Sequence, residues 1–285
     1  MQRRTRWQRW WPFVLLMLAG ASRWMLAAAR PEAESSVASE AMGCAWAALV
    51  YAVLVIRPRM ARPVTGSLLR AGLGGAMLLC GPGIGHLLHA TRMESSGLMM
   101  ALALTPVVVA IAGRIDDVAG RIWPGLAAVA GLMLVLVQPS LGDARSDVAM
   151  ALAPLLTGCG AALFCSEGNT TVWQAPAALA GAAIIFSASW AGAWHAGGVV
   201  LPSLSAVVCD GVLALLSLLV LARLGAVRWS AQFALLPLLI LLQGILILRP
   251  AITVRWVAGM LLIATASVYL LLPQAEENET AVVPR

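Results

Sequence analysis

The chain contains no lysine: all 19 of its basic residues are arginine. Charge of either sign is scarce, at 11% of 285 residues with 13 acids in all, and there are only 2 tyrosines and 4 phenylalanines. A soluble domain carries about 25% charged residues and 45–50% apolar ones. So little charge excludes a soluble enzyme, a disordered chain and a nucleic-acid module. The five cysteines (Cys44, Cys80, Cys159, Cys165 and Cys209) all fall inside apolar runs, which argues against a disulfide framework or a zinc site. No metal and no cofactor is expected.

What is present in quantity is apolar side chain. Hydrophobic residues make up 61% of the chain, and the mean hydropathy is +0.88. A membrane-spanning helix needs about 20 apolar residues. Ten such segments can be drawn, approximately Trp11 to Ala29, Glu40 to Ile56, Leu69 to Leu88, Ser96 to Gly113, Trp123 to Val137, Val148 to Cys165, Ala175 to Trp194, Val199 to Ala222, Ala231 to Leu248, and Val254 to Leu272. The fold class expected is an all-α polytopic membrane protein with the lipid bilayer as its solvent. The first run comes after Arg3, Arg4, Arg6 and Arg9 but contains Arg23 and no small-residue cleavage site, so it is read as a retained span rather than a signal peptide.

The arginines set the orientation. With the N-terminus inside, the inner segments hold Arg3, Arg4, Arg6, Arg9, Arg57, Arg59, Arg62, Arg70, Arg114, Arg121, Arg223, Arg228 and Arg285, against Arg30, Arg92, Arg145, Arg249 and Arg255 outside. That asymmetry obeys the positive-inside rule and expects both termini in the cytoplasm of a cell, with a bacterial plasma membrane as the location. It also accounts for a pI of 9.7 without nucleic acid. Trp11, Trp123, Trp173, Trp194, Trp229 and Trp256 sit near span ends and read as an interfacial belt.

Two stretches repeat. Leu104-Thr105-Pro106 is followed seven residues after the proline by Gly113, and then by Gly125 opening GLAAVAGLMLVL. Leu235-Leu236-Pro237 is followed at the same distance by Gly244, and then by Gly259 opening GMLLIATASVYL. Each half, 1–142 and 143–285, would hold five spans. An odd number inverts the second half relative to the first, giving an inverted repeat of the kind transporters use. On these residues, in ALALTPVVVAIAG with PGLAAVAGLMLVL and in the eighth to tenth spans, the chain resembles the EamA-like, ten-span branch of the drug/metabolite transporter superfamily. The resemblance implies a secondary transporter exporting a small metabolite, amino acid or drug-like solute. The family pattern has a Glu in the turn after each proline-containing span. Here the first turn has Asp116 and Asp117 and the second Arg249-Pro250, with no acid.

A charge inside a span costs about 2.5–3.5 kcal/mol on insertion scales, so the few that occur there are site candidates. Asp210 lies eleven residues into the span drawn from Val199, about 17 Å along it and near the midplane, where a carboxyl could couple transport to protons. Arg23 either neutralises Asp210, holds an anionic group of a solute, or snorkels to the interface. Glu40 and Glu94 open spans, where an acid is commonly a partner of the helix dipole. Gly81-Pro82-Gly83-Ile84-Gly85 precedes His86 and His89. A helix broken at Pro82 would expose carbonyls to a substrate cavity, with His86 as a group that titrates near neutral pH; the alternative is a kinked span with a satisfied histidine. Gln243 is a polar cavity candidate, with Trp24 or Trp190 as an aromatic wall. Pro106, Gly113, Pro237 and Gly244 form the repeated helix-breaking motif.

No HExxH, Ser-His or paired-acid arrangement lies within a span, so no enzymatic activity is expected. Two alternatives remain beside a transporter: a non-transporting membrane partner on the same fold, and an intramembrane enzyme.

Overall fold

The structure is a computed structural model. It describes residues 2–29, 36–55, 65–88, 95–113, 118–136, 144–166, 173–195, 202–248 and 253–272. Among these there is no strand, and thirteen helices account for nearly all of them. They are α1 (Gln2–Ala29), α2 (Val37–Val55), α3 (Thr65–Cys80), α4 (Ile84–Leu87), α5 (Ser95–Leu102), α6 (Thr105–Ala112), α7 (Val118–Val135), α8 (Ala144–Cys165), α9 (Gln174–His195), α10 (Leu204–Leu224), α11 (Ala226–Ser230), α12 (Gln232–Leu248) and α13 (Val254–Leu271).

Six of the described segments are long and apolar enough to cross a membrane: Val37–Leu54, Ala144–Cys165, Gln174–Gly192, Leu204–Leu224, Ala226–Ile247 and Val254–Leu271. Gly66–Cys80, Gly97–Ala112 and Ile122–Val135 are shorter apolar helices. The outward faces are apolar as well, with Val254 at 87%, Leu246 at 81% and Leu204 at 79% exposed. Soluble monomers avoid such contiguous apolar surface. In hydrocarbon it meets its own kind, and helices keep every backbone polar group satisfied internally. The protein is a membrane-embedded, multi-pass helical chain.

Hydrocarbon gives apolar helices little reason to associate, so close backbone approach through small residues holds them together. A Cβ on Gly131 of α7 would stand 2.7 Å from the Gly259 carbonyl oxygen of α13, and one on Gly259 would stand 2.6 Å from that of Gly131. Gly43 of α2 and Gly211 of α10 meet in the same reciprocal way, and so do Gly74 of α3 and Gly160 of α8. These crossings set the principal neighbours. The helix α3 lies against α8 and α9, α2 against α9 and α10, α7 against α13, and α1 against α10 and α12.

Several expected boundaries move. The eighth span starts at Leu204, because Ser203 caps α10 by accepting the Ala206 N–H at 3.2 Å. The third span is interrupted at Gly81–Gly83, with Pro82 in the turn between α3 and α4. The fourth is interrupted at Ala103 and Leu104, ahead of Pro106 in the first turn of α6. The repeated motif is not equivalent at its ends. Gly113 caps α6, whereas Pro237 and Gly244 both lie inside α12, because Ile245 to Leu248 carry an apolar helix onward where Arg114 and Asp116 come after Gly113. A Cβ on Gly244 would meet nothing within 4 Å.

These placements predict opposite outcomes for two equally small changes. Gly131→Ala forces α7 from α13 and should cost about 1–3 kcal/mol or more, while Gly244→Ala should be tolerated. Thermal unfolding of both variants in detergent micelles, monitored by tryptophan fluorescence, checks this; equal melting points would contradict it.

Candidate functional site

The site is built at a helix crossing. Because Gly43 and Gly211 lack side chains, α2 and α10 touch, and the residues beside them are brought face to face. Glu40 is one turn before Gly43, and Asp210 is the neighbour of Gly211. Upstream, α2 starts with a reciprocal serine cap. The Ser39 N–H donates to Ser36 Oγ at 3.2 Å, and the Ser36 N–H donates to Ser39 Oγ at 2.8 Å. That arrangement leaves the Ser39 hydroxyl hydrogen for Asp210, whose Oδ2 accepts it at 2.6 Å. Asp210 Oδ1 lies 3.4 Å from Nε of Arg23 on α1. Both side chains are 9% exposed, so the pair is largely withdrawn from solvent.

A second ionisable pair stands alongside. His86, on the short helix α4 after the break at Pro82, places Nδ1 3.1 Å from Glu40 Oε1. The other carboxylate oxygen, Glu40 Oε2, is buried and has no hydrogen-bond partner among the described residues. Gly83 makes room for this carboxylate: a Cβ there would lie 2.6 Å from Oε2 and 2.9 Å from Cζ of Phe186.

Both pairs open on one cavity of about 390 Å³. Its remaining wall is mostly apolar, from Leu16 and Met17 of α1, Leu98, Met99 and Leu102 of α5, Phe186 of α9, and Phe233 and Leu236 of α12. At the far end the indole N–H of Trp229 donates to Ser217 Oγ at 3.0 Å, and its ring stands edge-on to Phe233 with centroids 5.2 Å apart. Small-molecule sites have this character, an apolar enclosure of about 300–1,000 Å³ with a few convergent polar groups.

No family model matches the chain, and no curated protein matches it. It is similar to a solved structure described as "Crystal structure of protein", with 14% sequence identity and a TM-score of 0.64 over 90% of this chain and 98% of that one. At that identity the likeness is one of fold, and it extends over nearly the whole of both chains.

The structure brings Asp210, Arg23, His86, Pro82 and Pro237 to this cavity. Asp210 lies in the second turn of α10, about 9 Å from the helix start rather than 17 Å, since the Ser203 cap begins the helix later than Val199. Gln243 does not line the cavity: it is seven residues past Leu236, on the same face of α12 but about 10 Å further along, and its Oε1 has no partner among the described residues. Trp190 is also outside the wall, as are Pro106, Gly113 and Gly244. Trp229 is a correction. It does not sit in an interfacial belt but is 1% exposed and lines the cavity, because its indole N–H has Ser217 to reach inside. Glu40 is the site residue that sequence reasoning misses, and Ser36-x-x-Ser39 ahead of it is the available signal that the helix start is already capped. His89, Glu94, Asp116, Asp117, Arg249 and Pro250 lie outside the described residues, as does the side chain of Trp24.

This geometry makes two sets of variants informative. Gly83→Ala should displace the Glu40 carboxylate and break its bond to His86, shifting the imidazole ¹⁵N resonances of His86 as Glu40→Gln does; unchanged resonances would count against the contact. Arg23→Met should cost about 3–5 kcal/mol by stranding Asp210, while Arg23→Met with Asp210→Leu should recover most of it, as a double-mutant cycle on melting would read.

Proposed function

We propose that this chain is a secondary transporter of a small solute, related in design to the EamA-like branch of the drug/metabolite transporters. It works by alternating access of two inverted five-helix halves around the cavity. The observation that carries this reading is the cavity itself: Arg23, Glu40, His86 and Asp210 are gathered inside an otherwise apolar, membrane-embedded bundle. Ionisable groups are expensive there and mark solute or ion pathways.

The ten-span reading takes α3 with α4, α5 with α6, and α11 with α12 as single interrupted spans. The helix neighbours support two related halves. Exchanging the first five spans for the last five turns the α3–α9 contact into α10–α2, α3–α8 into α10–α1, α6–α8 into α12–α1, and α6–α7 into α12–α13, all of which are present. The α2–α9 and α7–α13 contacts map onto themselves. Interrupted helices beside the cavity, at Pro82 and Ala103, are features that transporters place at their binding sites. The arginine asymmetry favours both termini in the cytoplasm of a bacterial plasma membrane. Arg223 stacking on Trp11, 5.5 Å from the ring centroid, anchors what would be the inner end of α1 against α10. Proton coupling would act through the carboxylates of the cavity.

The test is a solute screen on the purified protein, reading thermal stabilisation, and then flux measurements in proteoliposomes. A stabilising solute should cross the bilayer with wild-type protein, and Asp210→Asn should abolish that flux while the protein still inserts. Wild-type flux from the variant would remove Asp210 from the mechanism. Flux that requires a second membrane chain would favour a non-transporting partner.

A further inference from the structure

The ionisable groups of the cavity are not balanced. Arg23 is matched by Asp210, whose two oxygens face the guanidinium and the Ser39 hydroxyl. Glu40 is met by His86 on Oε1 alone, and Oε2 is buried without a donor among the described residues. Two carboxylates, Asp210 and Glu40, share the enclosure with one guanidinium, Arg23, and one imidazole, His86, and its wall is otherwise mostly apolar. A buried carboxylate oxygen without a donor is costly, more so as the surroundings become less polar. One donor of the wall, the Trp229 indole N–H, is already held by Ser217.

We propose that the solute is an organic cation, an ammonium group carried on an apolar, ring-sized body, and that Glu40 is its counter-ion. This rests on the reading of the cavity as the solute site. An ammonium N–H at Oε2 would supply the missing donor and set a positive charge beside the carboxylate. Its apolar body would lie against Leu98, Met99, Phe186 and Phe233. A cation seated over the ring of Phe186 or Phe233 would gain further attraction. An anionic solute would have to share Arg23 with Asp210 and would face Glu40. A neutral hydroxyl could donate to Oε2 but would bring no opposite charge to the carboxylate. The cavity of about 390 Å³ is at the small end of ligand pockets, which limits the body to one or two rings.

The experiment compares three probes with one body and different heads: naphthylethylamine, naphthylethanol and naphthylpropanoate. Binding to the full chain in detergent micelles at neutral pH is read by calorimetry and by the shift in melting temperature. The amine should bind wild-type protein roughly 10- to 100-fold more tightly than the alcohol or the carboxylate, the worth of one charge-assisted hydrogen bond. Glu40→Gln should lower amine affinity to that of the alcohol, and Glu40→Asp, with the charge on a shorter arm, should keep the amine preferred. Equal or tighter binding of the alcohol or carboxylate by wild-type protein overturns the cation assignment and leaves the cavity a solute site for another chemistry. Undiminished amine binding by Glu40→Gln overturns the role of Glu40. Where that variant does not fold, loss of the amine preference in folded Glu40→Asp overturns it instead. Binding of none of the three overturns the proposal too, and the transport reading then stands or falls on the flux measurement.

Discussion

Gly43 and Gly211 touch backbone to backbone, and the placement of the polar site hangs on that contact. A bilayer offers no hydrophobic penalty to drive two leucine-faced helices together, so a helix pair must find attraction in close van der Waals approach and in polar contacts across the gap. The crossing of α2 and α10 uses both at one level. Removing two side chains lets the backbones meet, and Ser39 then spans the remaining distance to Asp210. A methyl group at either glycine would separate the helices and with them the two carboxylates of the cavity. The crossings at Gly131 and Gly259, and at Gly74 and Gly160, bring their helices together by the same close approach.

The electrostatic organisation is a consequence of that geometry. Charges are few, and two contacts stand out at the cavity: a carboxylate held by a guanidinium and a hydroxyl, and a carboxylate held by an imidazole. The first reads as a fastening between α1, α2 and α10. The second keeps one buried acceptor without a donor among the described residues. An apolar wall around one unsatisfied acceptor is a selective surface, since it rewards whatever can bring a donor without bringing much else that needs water.

The solvent of this protein is plain from its sequence, because composition and run length answer that question directly. Arg23 and Asp210 are legible for the same reason, as charges inside apolar runs. That they belong together is one of several readings, since they are 187 residues apart and no spacing rule links α1 to α10. Glu40 escapes notice because an acid in a first helical turn is ordinarily a dipole partner. Only the packing of α4 beside it reveals a different role. Trp229 comes directly after Arg228 at the start of a span, the usual signature of the interface, and its turn inward depends on a serine on another helix. Gln243 fails in the opposite sense: it lies on the right helical face and at the wrong height, a coordinate that apolar periodicity does not carry. The repeated proline and glycine spacing is visible in the letters, yet the helix ends it was expected to mark differ. A glycine ends the helix where charged residues come next, as at Gly113, and not where an apolar run continues, as at Gly244.

The serine cap of α2 has one more property. Ser39 Oγ lies 2.6 Å from Asp210 Oδ2 and 3.0 Å from the Ser36 carbonyl oxygen, and a hydroxyl has one hydrogen to give. Drawn away from α10, it turns to the carbonyl of its own first turn and finds an acceptor already in place. The helix end therefore stays whole whichever neighbour it holds, and parting α2 from α10 at this level exchanges one acceptor for another instead of stranding a donor in hydrocarbon. A fastening of that kind is reversible by a bond rotation, the least costly movement a side chain can make.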